Sequence, residues 1–149
     1  MKALVLYDSN FGNTKIIADK VANELGANGI SISAFSVDDL EGVELLVVGS
    51  PIIGWKPTEK TAEFLESLKK DQLVGIKATT FDTRVKLFIH GDAKDKIAKI
   101  LENAGAKIIA QPNAFYVQGK EGPLLAGEVE KASGWAKDIK SKFGQGDAK

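Results

Sequence analysis

The segment Ser9-Asn10-Phe11-Gly12-Asn13-Thr14 gathers hydroxyls, carboxamides and a glycine without a single charged side chain. It follows the apolar run Ala3-Leu4-Val5-Leu6-Tyr7 and precedes a stretch in which Ile17, Val21 and Leu25 recur at helical spacing. A polar loop leading from a buried strand into a helix collects free backbone N–H groups and the positive end of the helix dipole at one point. Such a point suits an anion, and neutral donors suit a phosphate that is held rather than hydrolysed. The same residues could also make a plain tight connection, although a purely structural turn rarely needs so many side-chain donors. Gly12 permits either a close backbone approach or a positive φ.

The elements that must position this loop follow from periodicity. Apolar strand patterns occupy 3–7, 30–35, 44–49, 77–81 and 107–110, and helical patterns occupy 14–25, 58–69, 92–104 and 126–143. Their alternation predicts one α/β domain over 1–149, a doubly wound, five-stranded parallel sheet with helices on both faces. The runs 3–7 and 45–48 are continuously apolar, as strands covered on both faces are, whereas 30–35 alternates like an edge strand. The expected strand order is therefore 2-1-3-4-5. In such a sheet ligands bind beyond the carboxyl ends of the strands where the winding reverses, here between the first and third. The loops at that point are 9–14 and Gly49–Pro57, and a third runs from Asp82 to Gly91, long for a strand-to-helix connection. Gly26 and Gly105 read as helix ends, Asp92 with Asp95 as a capping box, and Trp135 as a core residue of the last helix. The tail 144–149 is expected to fray.

Composition removes several kinds of chemistry. There is no cysteine, so disulfides, thiolate catalysis and Cys-ligated metals are excluded, and a lone histidine, His90, excludes a His-rich metal site. A net charge of zero and a pI near 6.6 argue against nucleic-acid binding. No apolar run reaches the ~18 residues of a membrane span, and the apolar part of the N-terminus is short for a signal peptide, so a cytoplasmic location is expected. A receiver domain needs an aspartate at the end of the third strand, where Gly49-Ser50-Pro51 stands. A P-loop and a GxGxxG dinucleotide motif are both missing.

The pattern Val5-Leu6-Tyr7, Ser9, Gly12, Thr14, Ala18, Val21 resembles the FMN-phosphate signature of flavodoxins at every specified position. Gly49-Ser50-Pro51 resembles the start of that family's first isoalloxazine loop. The stretch from Gly105-Ala106 to Trp135-Ala136-Lys137-Asp138 resembles the short-chain flavodoxin terminus, with no long insertion splitting the fifth strand. The resemblance covers nearly the whole chain. It departs at Phe11, where many flavodoxins have a hydroxyl and where an aromatic resembles flavodiiron and quinone-reductase relatives, and in net charge, since flavodoxins are usually acidic.

The resemblance implies FMN as cofactor and a role as electron carrier between redox partner proteins, a reductase and an acceptor. An NAD(P)H-dependent FMN quinone reductase is the alternative. It implies that Ser9, Asn10, Phe11, Gly12, Asn13 and Thr14 hold the phosphate. Ser50, Pro51, Ile52, Ile53, Gly54 and Trp55 would meet one side of the ring, and Phe81, Asp82, Thr83, Arg84 and Phe88 the other. Gly54 stands where the family has a glycine whose peptide turns on flavin reduction, or it is simply a turn glycine. Trp55 stacks on the ring or covers its edge, unless Ile53 takes the inner face. Arg84 is either a cation near flavin N1–C2=O or a partner in a salt bridge. No residue is expected to act as acid, base, nucleophile or metal ligand.

Overall fold

Residues of the first strand, β1 (Ala3–Tyr7), divide by parity between two cores. Ala3, Val5 and Tyr7 pack on one side of the sheet with Ile17, Val21 and Leu25 of helix α1 (Asn13–Leu25) and with Ala132, Ala136 and Ile139 of helix α4 (Glu128–Gln145). Leu4 and Leu6 pack on the other side with Phe64 and Leu65 of α2 (Glu59–Glu66) and Ile97 and Leu101 of α3 (Lys94–Asn103). This is the two-residue period of a strand covered on both faces. The computed structural model describes residues 1–87 and 91–145. None of its described helices is long and apolar enough to cross a membrane.

The other strands are β2 (Asn28–Ser31), β3 (Leu45–Ile53), β4 (Lys56–Pro57), β5 (Lys77–Val85), β6 (Lys107–Ile108) and β7 (Asn113–Val117). The parallel order is β2-β1-β3-β5-β6, with β7 alongside β5 and β4 folded back antiparallel on β3. The expected doubly wound order is thus present, its fourth strand being β5 and its fifth being split into β6 and β7.

The split has a local cause. After Ile109 donates to the Ala78 carbonyl, the Thr79 hydroxyl donates to the Ala110 carbonyl and the Trp135 indole N–H to that of Gln111. Pro112, with no N–H, cannot continue the ladder. The second strand is shorter than its alternating pattern suggests. The Ser31 hydroxyl accepts the Ser33 N–H and turns Ile32–Ala34 into a 3-10 turn.

The largest correction is to β5, expected to end at residue 81. It runs to Val85 because β7 pairs with 81–85, in register from Phe81↔Asn113 to Val85↔Val117. Asp82 and Arg84 look like loop residues in sequence. Two apart, they share one face of the strand and neutralise each other there. The expected frayed tail is helical as far as Gln145, and its residues 146–149 lie outside the described ones, as does His90.

Candidate functional site

Beyond the carboxyl ends of β1, β3, β5 and β7 lies a cavity of about 250 Å³. The first loop forms its floor. Gly12 has φ 92° and supplies no side-chain cap to α1. Ser9 does so instead, its Oγ accepting the N–H groups of Gly12 (3.1 Å) and Lys15 (3.3 Å), which leaves its own O–H to donate. Among the described residues, the amide N–H groups of Asn10, Phe11, Asn13 and Thr14 have no acceptor. The acidic residue that precedes the loop is turned away. Asp8 is buried, its carboxylate accepting the Ser9 N–H and the Thr58 hydroxyl. Lys15 is held by Asp19 at 2.7 Å, a hydrogen bond that raises its pKa above the ordinary value. The loop thus offers N–H groups without an acceptor among the described residues at a helix N-terminus, which is the donor set a phosphate requires.

One wall is the β3–β4 hairpin. Its two-residue turn consists of Gly54 (φ 59°) and Trp55 (φ 71°), with Ile53 opposite Lys56. Positive φ at both central residues is what a type I′ turn demands. For an L-residue such as Trp55 that region costs about 1–2 kcal/mol. The Trp55 carbonyl is fixed from outside, accepting from the Asp92 N–H (3.2 Å) and the Lys96 ammonium (3.4 Å). Gly91 packs so closely that a Cβ there would sit 2.2 Å from the Trp55 Cα. Pro51, Ile52, Ile53 and Trp55 line the cavity, with Ile53 40% and Trp55 58% exposed.

The rest of the lining comes from the end of β5, from β7 and from the segments after them: Thr83, Arg84, Val85, Leu87, Gly91, Val117 and Lys120. Thr83 is joined to Thr14, their hydroxyl oxygens 2.8 Å apart. Arg84 reaches the cavity edge, but its guanidinium donates to both oxygens of buried Asp82 and to Asp92 at 3.2 Å. The bond to Asp82 raises the Arg84 pKa despite burial, with Asp92 adding to it. Asp82 also accepts the N–H groups of Ala93 and Lys94, and Asp92 that of Lys96. These two aspartates together hold the start of α3, in place of the expected Asp92–Asp95 capping box.

Of the residues expected at the site, Ser9, Asn10, Phe11, Asn13, Thr14, Pro51, Ile52, Ile53, Trp55, Thr83 and Arg84 are gathered around one cavity. Gly12 and Gly54 shape its loops without lining it. Three others lie elsewhere. Ser50 is fully buried, accepting the Thr58 N–H and donating to the Pro51 carbonyl, and so ties β3 to the start of α2. Phe81 points into the core, edge-to-face with Phe115 and Trp135 at 5.9 Å, over Gly49. Asp82 is enclosed by Arg84 and α3. Phe88 lies outside the described residues. Val85 and Leu87 belong to the third loop expected from the sequence without being singled out in it, and Val117 and Lys120 lie outside all three loops. The apolar run Phe115-Tyr116-Val117 was the available signal for β7 and for the loop after it.

Residues 4–143 match the family described as a flavodoxin domain. An uncharacterised protein of Methanocaldococcus jannaschii is 33% identical over 116 residues, 74% of this chain and 73% of its own. Among solved structures, flavodoxin 2 of Bacillus cereus superposes with a TM-score of 0.80 at 22% identity, over 96% of this chain and 100% of its own. A flavodoxin from the domain Archaea does so with a TM-score of 0.76 at 21% identity, over 96% and 99%.

Proposed function

The chain belongs to the flavodoxin domain family, and on that premise we propose that it binds FMN and carries electrons between redox proteins. The observation that carries this reading is the first loop, with unaccepted N–H groups at the start of α1 and a solvent-open, apolar-walled slot directly above. FMN would supply reversible electron transfer. The amides of Asn10, Phe11, Asn13 and Thr14, with the Ser9 hydroxyl, hold its phosphate. Trp55, Ile53, Val85 and Leu87, which line the same cavity, would pack on a flat aromatic group and exclude water from it. Gly54 carries no Cβ, so its peptide can turn a carbonyl toward the ring at little cost. The exposure of Trp55 keeps this end of the slot open to a docking protein.

Titration of the purified chain with FMN, followed by visible absorption and flavin fluorescence, tests the reading. Saturable one-to-one binding and a yellow protein are expected, and a colourless chain that leaves FMN fluorescence unchanged overturns it. Steady NAD(P)H oxidation with a quinone, catalysed by the loaded protein alone, would favour the quinone-reductase alternative instead.

A further inference from the structure

The phosphate loop is neutral, yet a cation also lines the cavity. Lys120 lines the cavity and comes from the loop that follows β7, a segment remote in sequence from 9–14. That loop is a braced turn. Val117 bridges Leu124, the Gln118 N–H donates to the Pro123 carbonyl, the Leu125 N–H to the Tyr116 carbonyl and the Gly122 N–H to the Gly119 carbonyl.

The turn is pressed onto the first residue of α1. The Asn13 side-chain amide donates to the Glu121 carbonyl at 3.2 Å, and a Cβ on Gly122 would lie 2.6 Å from that same amide group. The backbone of Lys120 is therefore fixed beside the N-terminus of α1, and only its side chain is free to turn. Among the described residues no carboxylate pairs with the Lys120 ammonium. The other cations near the cavity are committed, Lys15 to Asp19 and Arg84 to Asp82 and Asp92.

We propose that Lys120 is the charge partner of a phosphate monoester dianion seated on the 9–14 loop, and that it sets this chain's preference for a phosphorylated flavin over the unphosphorylated one. The inference rests on the FMN reading and assigns to the β7–α4 loop a part of the site that the loop signature does not contain. Neutral N–H donors orient the phosphate. An ammonium reaching in from beside the α1 N-terminus adds an attraction that depends on the ligand's charge. Riboflavin, which carries the same ring and ribityl chain without phosphate, feels none of it.

The test compares FMN and riboflavin affinities, by flavin fluorescence quenching, for the wild-type chain and for Lys120→Gln, Lys120→Arg and Lys86→Gln. Lys86 is the control because it lies over the Tyr116 ring rather than in the cavity wall. Lys120→Gln is expected to weaken FMN about tenfold, to leave riboflavin unchanged and to flatten the salt dependence of FMN binding, while Lys120→Arg restores it. Inorganic phosphate, followed by ³¹P NMR on the flavin-free chain, is expected to bind more weakly to Lys120→Gln than to wild type. Equal losses for both flavins, or none for FMN, overturn the proposal. If neither flavin binds the wild type, the FMN reading itself fails, and the phosphate titration still reports whether Lys120 serves an anion.

Discussion

The side chains of Thr14 and Thr83 meet oxygen to oxygen at 2.8 Å, both residues being almost wholly buried. This contact fastens the first turn of α1, which follows the 9–14 loop, to the end of β5, which lines the same cavity. Thr83→Val leaves the Thr14 hydroxyl buried without a partner. Urea denaturation should show a loss of about 1–3 kcal/mol. The double variant Thr14→Val/Thr83→Val should lose less than the sum of the single variants, since both partners are then apolar.

The Asp82–Arg84 pair is a second buried tie, and it bears on stability. Asp82 is fully buried and accepts from Arg84 and from the first amides of α3. Asp82→Asn is expected to cost up to about 3–5 kcal/mol in urea melts, because the buried guanidinium loses its fully buried counter-ion and keeps the more exposed Asp92. Asp82→Asn/Arg84→Met should recover part of that loss.

Gly91 tests the hairpin wall. A methyl group there would fall 2.2–2.4 Å from backbone atoms of Trp55, which cannot swing aside as a side-chain end can. Gly91→Ala is expected to displace the Gly54–Trp55 turn and to weaken flavin binding at least tenfold, with far-UV circular dichroism unchanged. Wild-type affinity in this variant would show that the wall is not needed.

Acid sensitivity has a named contributor between α1 and α4. The Ser133 hydroxyl donates to Glu24 at 2.6 Å, and this bond, with Lys137 and Lys20 nearby, lowers the Glu24 pKa. A carboxylate with a depressed folded-state pKa contributes stability above its unfolded value and loses it as pH falls through the folded one. Ser133→Ala should therefore destabilise the chain at neutral pH, and by less once Glu24 is protonated. Thermal melts at pH 7 and pH 3 measure the difference.

Features built from neighbours in sequence were legible before the structure. The 9–14 loop, its glycine, the helix that starts there and the parity of β1 are local, because hydrogen bonds to adjacent amides and the two-residue strand period need no distant partner. The strand order followed as well, since burial on one face or two is written into the apolar pattern. Tertiary structure decided what depends on a partner far along the chain. Asp82 reads as a loop residue until Arg84 and the start of α3 enclose it. Phe81 reads as a ring contact until Phe115 and Trp135 close around it. Ser50 reads as a ligand until Thr58 uses it. Lys120 is one of many lysines until Asn13 and Glu121, 108 positions apart, bring its loop to the cavity. Whether a buried polar group is a site or a tie depends on where its partner comes from, and only the folded chain specifies that.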